Sequence, residues 1–256
     1  MNVLIIKKEK VFYLSILFVF LISFYSFCSF KNRVLETSIT ITSENDLQIL
    51  LNSDYKIAYL TFDDGPTEKM TPKILDILDE EEIPATFFVI GKHVKEHPEL
   101  VLRAYKAGHY IANHTYSHNN DKIYQSTESF INEIKSTDIA ISEALGIENY
   151  CSHVFRFPEG YMTNKYKTQK QNGLSALKEL NYVYVDWNCL NKDSETKYSN
   201  NQLINNLIKS SQNKTSLVVL MHDTGDVNNT NEVLKASIEY LKNKGYEFRN
   251  FYDFFN

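Results

Sequence analysis

The sequence predicts an α/β fold in which a parallel sheet closes as a distorted or slightly open (β/α)7 barrel. Strand-like and helix-like segments alternate about seven times after Tyr55, the order that builds parallel sheets. The strand-like runs are continuously apolar rather than alternating, so helices should cover the sheet. Each conspicuous polar cluster follows directly on such a run, at the strand C-termini where barrels place their sites.

Composition agrees with this reading. The 256 residues suit one substantial domain, and 43% hydrophobic with 13% aromatic content supplies a large core. Charges of both signs are well mixed around a net of -5, so no nucleic-acid partner is expected. The N-terminus is separate. Lys7, Lys8 and Lys10 precede an apolar run from Val11 to Phe30, and Lys31 and Arg33 follow it. About 20 apolar residues are just enough to cross a bilayer. We therefore expect a cytoplasmic basic flank over 1–10, a transmembrane anchor or signal segment over 11–30, an extracytoplasmic spacer over 31–51 and a catalytic domain over 52–256 outside the cytoplasm. An uncleaved single-pass anchor is favoured over a secreted form, because Tyr25 and Phe30 crowd a cleavage site built on Ser26 and Cys28. Cys151 and Cys189 would pair only if their strands were neighbours.

The chain then reads in order. Lys56 to Thr61 is a strand ended by Gly65-Pro66. Met70 to Ile83 has helical spacing at Ile74, Leu75, Leu78 and Ile83, with Pro72 suited to a first turn. Ala85 to Ile90 is a second buried run, and Glu96 to Ala107 a helix with Pro98 near its start and Gly108 at its exit. Tyr110 to Ala112 resumes the sheet and delivers His114-Thr115-Tyr116-Ser117-His118. A long helix from Ser126 to Leu145 closes at Gly146. Val154 to Phe157 is a short strand that carries Arg156 into Pro158-Glu159-Gly160. Residues 161–172 read as a polar loop, Leu174 to Leu180 as a helix, Tyr182 to Trp187 as a strand and Asn200 to Ser210 as a helix. Leu217 to Met221 runs unbroken into His222-Asp223. Glu232 to Asn243 is the last helix, stopped by Gly245, and Tyr246 to Phe255 holds a last strand.

Four of these strand ends carry chemistry. Asp63 and Asp64 are adjacent carboxylates at a strand mouth, an expensive arrangement unless a cation or a reaction uses them; taken alone they read equally as two solvated acids. His114 and His118 are spaced for one helical face or for a loop that curls both imidazoles inward. With a carboxylate they form an ordinary ligand set for a catalytic divalent ion. One carboxylate then binds the ion and the other accepts a proton from water. His222 is placed to supply the leaving group with a proton, and Arg156 to orient a carboxylate through a charge-assisted fork. Alone, each also reads as a surface residue.

Together these motifs resemble the polysaccharide deacetylase family, the carbohydrate esterases that include peptidoglycan N-acetylglucosamine deacetylases. The resemblance covers roughly residues 52 to 252. T-F-D-D-G-P stands at Thr61 to Pro66, and the resemblance implies Asp63 as general base and Asp64 as metal ligand. H-[S/T]-x-x-H stands at His114 to His118, implying two imidazole ligands of one divalent ion, zinc before cobalt, manganese or nickel. R-x-P-x-G stands at Arg156 to Gly160, where Arg156 steadies the base and Pro158 walls the groove. L-x-H stands at Leu220 to His222, with Leu220 lining the acetyl pocket and His222 as general acid. The fourth motif, D-[S/A]-x-D-[W/Y], departs: Asp193 matches the aspartate that orients the acid, but Leu190 replaces the first aspartate and Ser194 the aromatic. Glu159 also stands where glycine or an aromatic is usual.

The resemblance implies hydrolysis of an N-acetyl group on an acetamido sugar, with peptidoglycan N-acetylglucosamine favoured. Muramic acid residues, chitooligosaccharide, poly-N-acetylglucosamine and acetylated xylan are alternatives. A backbone N–H near Tyr161 is expected to face the oxyanion. Tyr116, Tyr161, Tyr166 and Trp187 are candidates for stacking on sugar. The expected partner is a cell-wall glycan, met by a monomer tethered to the membrane. A wall-binding module without activity and a metal-dependent phosphoesterase are the rival classes.

Overall fold

A computed structural model describes residues 55–195, 198–224 and 227–255, with the side chains of 227–231 left aside. The expected anchor and spacer lie outside these residues. Among the described residues no helix is long and apolar enough to cross a membrane.

Eight strands form one sheet in which every pairing is parallel. They are β1 (Ile57–Asp63), β2 (Thr86–Val89), β3 (Tyr110–Asn113), β4 (Val154–Phe155), β5 (Val183–Tyr184), β6 (Cys189–Leu190), β7 (Ser216–His222) and β8 (Glu247–Arg249). The order is β5-β4-β3-β2-β1-β7-β6. β7 pairs with β1 along its whole length, so β2 and β8 share the other edge of β1, β2 at its C-terminal half and β8 at its N-terminal half.

β5 and β6 stand at opposite ends of this order, yet only residues 185–188 join them. A link of that length reaches about 17 Å at most. The sheet therefore curls until its two edges face each other, open between β5 and β6. The strand expected over Tyr182 to Trp187 is thus paired only at β5, its remainder leaves the sheet as the crossing, and β6 follows beyond it. Lys214 Nζ donates to the Asn188 carbonyl, and Asn188 Nδ2 donates to the Ser216 carbonyl, holding the crossing at its far end.

Strand parity sorts side chains between two cores. Ala58, Leu60 and Phe62 of β1 pack outward with Phe87, Ile111, Val219 and the helices. Ile57 and Tyr59 face inward with Phe88, Ala112 and Val218, and the Phe251 ring stacks on Tyr59 at 5.4 Å. The same parity turns Thr61 and Asp63 inward, so the first aspartate of the pair ends a buried stack.

The helices follow their capping chemistry. α1 (Thr71–Glu80) has Pro72 in its first turn. α3 (Pro98–Lys106) matches the helix expected from Glu96, whereas α2 (Gly91–Glu96) before it was not expected, and His97 is a non-helical junction between them. After the short α4 (Asn120–Ile123), α5 (Thr127–Leu145) is capped by the Ser126 hydroxyl and closed by Gly146 at φ 67°. α6 (Lys167–Glu179) starts well before the expected Leu174, because Lys-Thr-Gln-Lys-Gln-Asn forms helix without showing an apolar face. α7 (Asn200–Ser211) has a full capping box from Ser199 and Gln202. α8 (Val227–Asn243) completes the set and also begins earlier than its apolar spacing suggests. Cys151 and Cys189 are free; Cys151 lies in the loop before β4 and Cys189 on β6, which does not pair with β4.

Leu60 is fully buried at the centre of the sheet, whereas Ile139 on α5 is 55% exposed. Leu60→Ala should cost about 2–5 kcal/mol of unfolding free energy and Ile139→Ala under about 0.5 kcal/mol, both read by urea denaturation. Equal effects would contradict the assigned core.

Candidate active site

The site assembles at the C-terminal rim of β1, β3, β4 and β7. Asp63 and His222 end neighbouring strands as direct register partners. Asp63 is buried, and Arg156 Nη1 donates to its Oδ1 at 2.7 Å. Arg156 is wholly buried. It also donates to Thr61 Oγ1 at 2.8 Å, to the Val185 carbonyl at 2.8 Å and to the Asp186 carbonyl at 3.3 Å. Its guanidinium lies 3.9 Å over the Phe88 ring, so a charge that would be costly in the interior is matched on its edges and one face.

Asp64 leaves the strand at φ 72° and turns its side chain toward the two histidines. Its Oδ1 lies 3.4 Å from His114 Nε2 and 3.3 Å from His118 Nε2. One oxygen of Asp64 and one nitrogen of each histidine fall within 4.8 Å of one another, as a ligand set for one ion requires. His114 Nδ1 sits 2.8 Å from the Arg156 carbonyl. A carbonyl only accepts, so Nδ1 carries a hydrogen and the neutral ring offers its Nε2 lone pair to the cluster. Asp64 Oδ1 is buried with no hydrogen-bond partner among the described residues, an orphan acceptor that a cation would satisfy.

The electrostatics fit the same group. Burial raises the Asp64 carboxyl, but the close approach of His114 and the charges of His118 and His222 hold it well below the usual carboxylate range. Burial lowers His114, yet Asp63 and Asp64 leave it raised overall; burial and the His114 charge push His118 down to about 4. The two carboxylates thus create a field that favours positive charge at the cluster, the place a cation would take. The histidines lie on a loop and not on a helical face. The Gly91 and Lys92 N–H groups at the start of α2 donate to the Thr115 and Tyr116 carbonyls. From α5, Glu133 accepts from the Tyr116 and Ser117 N–H groups and the Ser117 hydroxyl.

Across the mouth stands a second pair. His222 Nδ1 lies 2.7 Å from Asp193 Oδ1, and Asp193 Oδ2 accepts from the His222 N–H at 2.9 Å. Burial lowers His222, but the Asp193 bond and charge, with Asp63 and Asp64 behind, raise it to about 9. The imidazole is therefore protonated near neutrality, with Nε2 free of this pairing. Asp193 is itself steered by Asn191, whose Oδ1 accepts from the Asp193 N–H at 3.0 Å.

The remaining predicted residues line or support this rim. Leu220 shares the inward parity of His222 and is buried. Pro158 is buried in its turn. Trp187 lies against Gly160, where a Cβ would stand 2.7 Å from the ring, and 5.8 Å from the Arg156 guanidinium. The Tyr161 ring packs on Phe157 and Tyr184, Tyr166 stacks on Tyr124, and Tyr116 packs on Gly91. These three tyrosines are part of the packing, which weakens the expectation that they stack on sugar. The Tyr161 N–H does not face the site as a free donor: it is bonded at 3.0 Å to each carboxylate oxygen of Asp186. On the same turn, the Glu159 N–H is bonded to none of the described residues.

Several supporting residues gave no signal in the sequence. His93 Nδ1 donates to the Asp64 carbonyl at 2.8 Å and the Ile90 N–H to the Gly65 carbonyl. Asp223, fully buried and raised to about 7 by burial, accepts from the Thr71 and Thr67 hydroxyls behind the Asp64 loop. Gly65 is required there, since a Cβ would meet Asp223 Oδ2 at 2.2 Å.

A model of the polysaccharide deacetylase family matches residues 51–177. That span holds Asp63, Asp64, His114, His118 and Arg156 and ends before Asp193 and His222. A peptidoglycan-N-acetylglucosamine deacetylase of Bacillus cereus is 34% identical over 198 residues, 75% of this chain and 85% of the relative. The solved catalytic domain of peptidoglycan N-acetylglucosamine deacetylase from Eubacterium rectale matches with a TM-score of 0.70 at 30% identity, covering 78% of this chain and 90% of that one. A Streptococcus mutans CE4 esterase matches at 0.72 with 28% identity, covering 81% and 90%. By the identity and coverage of these relatives and the motifs at its strand ends, the chain belongs to the polysaccharide deacetylase family.

Proposed function

We propose that the protein hydrolyses the N-acetyl group of an acetamido sugar in a cell-wall glycan, with peptidoglycan N-acetylglucosamine as the substrate. The observation that carries this reading is the pairing of two supported proton carriers, Asp63 with Arg156 and His222 with Asp193, on adjacent strand ends beside the Asp64, His114 and His118 cluster. Amide hydrolysis needs a base for the attacking water and an acid for the departing amine, and the rim supplies one of each.

Asp64, His114 and His118 would hold one divalent ion, zinc by their imidazole and carboxylate chemistry. When bound, such an ion supplies Lewis acidity for the acetyl carbonyl and acidifies water. Asp63 takes the proton of the attacking water, and Arg156 offsets its charge and holds its Oδ1 in place. The Glu159 N–H donates to the developing oxyanion. His222 gives its Nε2 proton to the sugar nitrogen as the C–N bond breaks, leaving acetate and a free amine, while Asp193 keeps Nδ1 protonated and the ring oriented. The apolar run 11–30 supports a domain tethered on the outer face of the membrane, within reach of the wall.

Purified muropeptides incubated with the zinc-loaded protein should release acetate, and mass spectrometry should place the lost acetyl on glucosamine. Loss from muramic acid residues, or release only from chitooligosaccharide, poly-N-acetylglucosamine or xylan, would reassign the substrate. Asp63→Asn should retain zinc and lose about 10²–10⁴-fold in kcat, whereas His118→Ala should lose both; equal metal loss would contradict the assigned roles. The acid must be protonated to act, so kcat falls as pH rises through the His222 pKa. Asp193→Asn removes the main cause that raises it, and the alkaline limb of the kcat profile should move to lower pH. A limb that stays in place removes Asp193 from that role.

A further inference from the structure

We infer that Lys170 and Asp186 are positioning residues that clamp the turn Pro158–Met162 and so present the Glu159 N–H to the oxyanion. This rests on the oxyanion role given to that N–H above. The hydrogen bonds of the turn carry the argument. Pro158 has no N–H. The Gly160 N–H donates to the Phe157 carbonyl at 2.8 Å. The Tyr161 N–H is held by both Asp186 oxygens, and the Met162 N–H lies 3.3 Å from Asp186 Oδ2. The Gly160 carbonyl accepts from Lys170 Nζ at 2.6 Å. Only the Glu159 N–H is left unbonded among the described residues of this turn.

The Gly160 carbonyl and the Tyr161 N–H belong to one peptide group. In a trans peptide they point in opposite directions. Lys170 thus places an ammonium on the oxygen and Asp186 a carboxylate on the N–H, each at the end of the peptide dipole it attracts. This fixes the rotation of that plane. The turn needs such fixing, because Glu159 at φ 63° and Gly160 at φ 77° are consecutive left-handed residues, a conformation that persists only where its surroundings impose it. The Trp187 ring against Gly160 closes the third side.

Neither charge has another evident purpose. Lys170 is almost fully buried on α6, and the other partner of its ammonium among the described residues is the Thr163 hydroxyl at 2.6 Å. An ammonium there is costly unless its donors are engaged. Asp186 lies on the crossing between β5 and β6. Its backbone carbonyl accepts from Arg156 while its side chain holds the turn. One residue therefore spaces the base and the oxyanion donor.

The test uses the full-length, zinc-loaded protein with tetra-N-acetylchitotetraose as substrate and a methylphosphonamidate analogue of its acetamide as the mimic of the tetrahedral state. Lys170→Met and Asp186→Asn should each lower kcat by about 10- to 100-fold, with KM within about twofold and zinc affinity unchanged. Affinity for the analogue should fall by the same factor as kcat/KM, a parallel that a general loss of stability does not produce. If Lys170→Met does not fold, Asp186→Asn, at a half-buried position, decides the matter. Unchanged kcat in the folded variants, or lost kcat with analogue affinity retained, overturns the clamp. A wild-type protein that turns the substrate over but binds the analogue no tighter than substrate sinks the oxyanion reading and this inference with it.

Discussion

The guanidinium of Arg156 is the contact on which the rest of the site depends. It joins β4 to the end of β1 through Asp63 and Thr61, and to the crossing between β5 and β6 through the Val185 and Asp186 carbonyls. Its own carbonyl sets the His114 ring. Asp63, one member of the Asp64, His114 and His118 cluster and the seam of the curled sheet are therefore placed by one residue. A buried ion pair of this kind adds little net stability, because desolvation consumes most of the attraction, yet removing one partner costs about 3–5 kcal/mol. Its value here is geometric. A lysine would reach Asp63 but could not engage four acceptors in one plane.

The acid side is built separately, which explains how it tolerates departures from the family pattern. Leu190 replaces an aspartate, but the residue is held through its backbone: its N–H donates to the Ser210 hydroxyl, which donates in turn to the Leu190 carbonyl. Asn191 then takes over the orientation of Asp193, and Asn206 holds the Asn191 carbonyl. The two hydrogen bonds from His222 to Asp193 survive intact. Ser194 is exposed and brings no aromatic ring to that side of the mouth, and Trp187 packs on Gly160. The departures alter the shape of the mouth and leave the proton carriers in place.

The parts legible in the sequence were those governed by burial. β1, β7 and the ends that carry Asp63, His114, Arg156 and His222 could be read because parallel strands covered on both faces must be continuously apolar. The first half of α6 was not legible, since the only one of its first six residues to be buried is Lys170, a charged residue. The crossing at 185–188 was hidden for a different reason. Tyr182 to Trp187 has strand composition throughout, yet only Val183–Tyr184 pairs, and the strand at the opposite sheet edge begins beyond it at Cys189. Charge partners such as Lys170 with Gly160, Asp186 with Tyr161 and His93 with Asp64 depend on backbone groups, which leave no pattern in side-chain identity.

The crossing also accounts for the coupling between the two halves of the mouth. Val185 and Asp186 serve Arg156, Asp186 serves the turn that ends β4, Trp187 covers Gly160, and Asn188 binds both the Val218 N–H and the Ser216 carbonyl of β7. Four consecutive residues thus contact Arg156 beside Asp63, the turn that ends β4 and the strand that carries His222. A regular strand could not do this, because its backbone groups would be spent on two neighbours. Leaving the sheet open between β5 and β6 frees those groups, and the site uses them to hold its parts at fixed spacing.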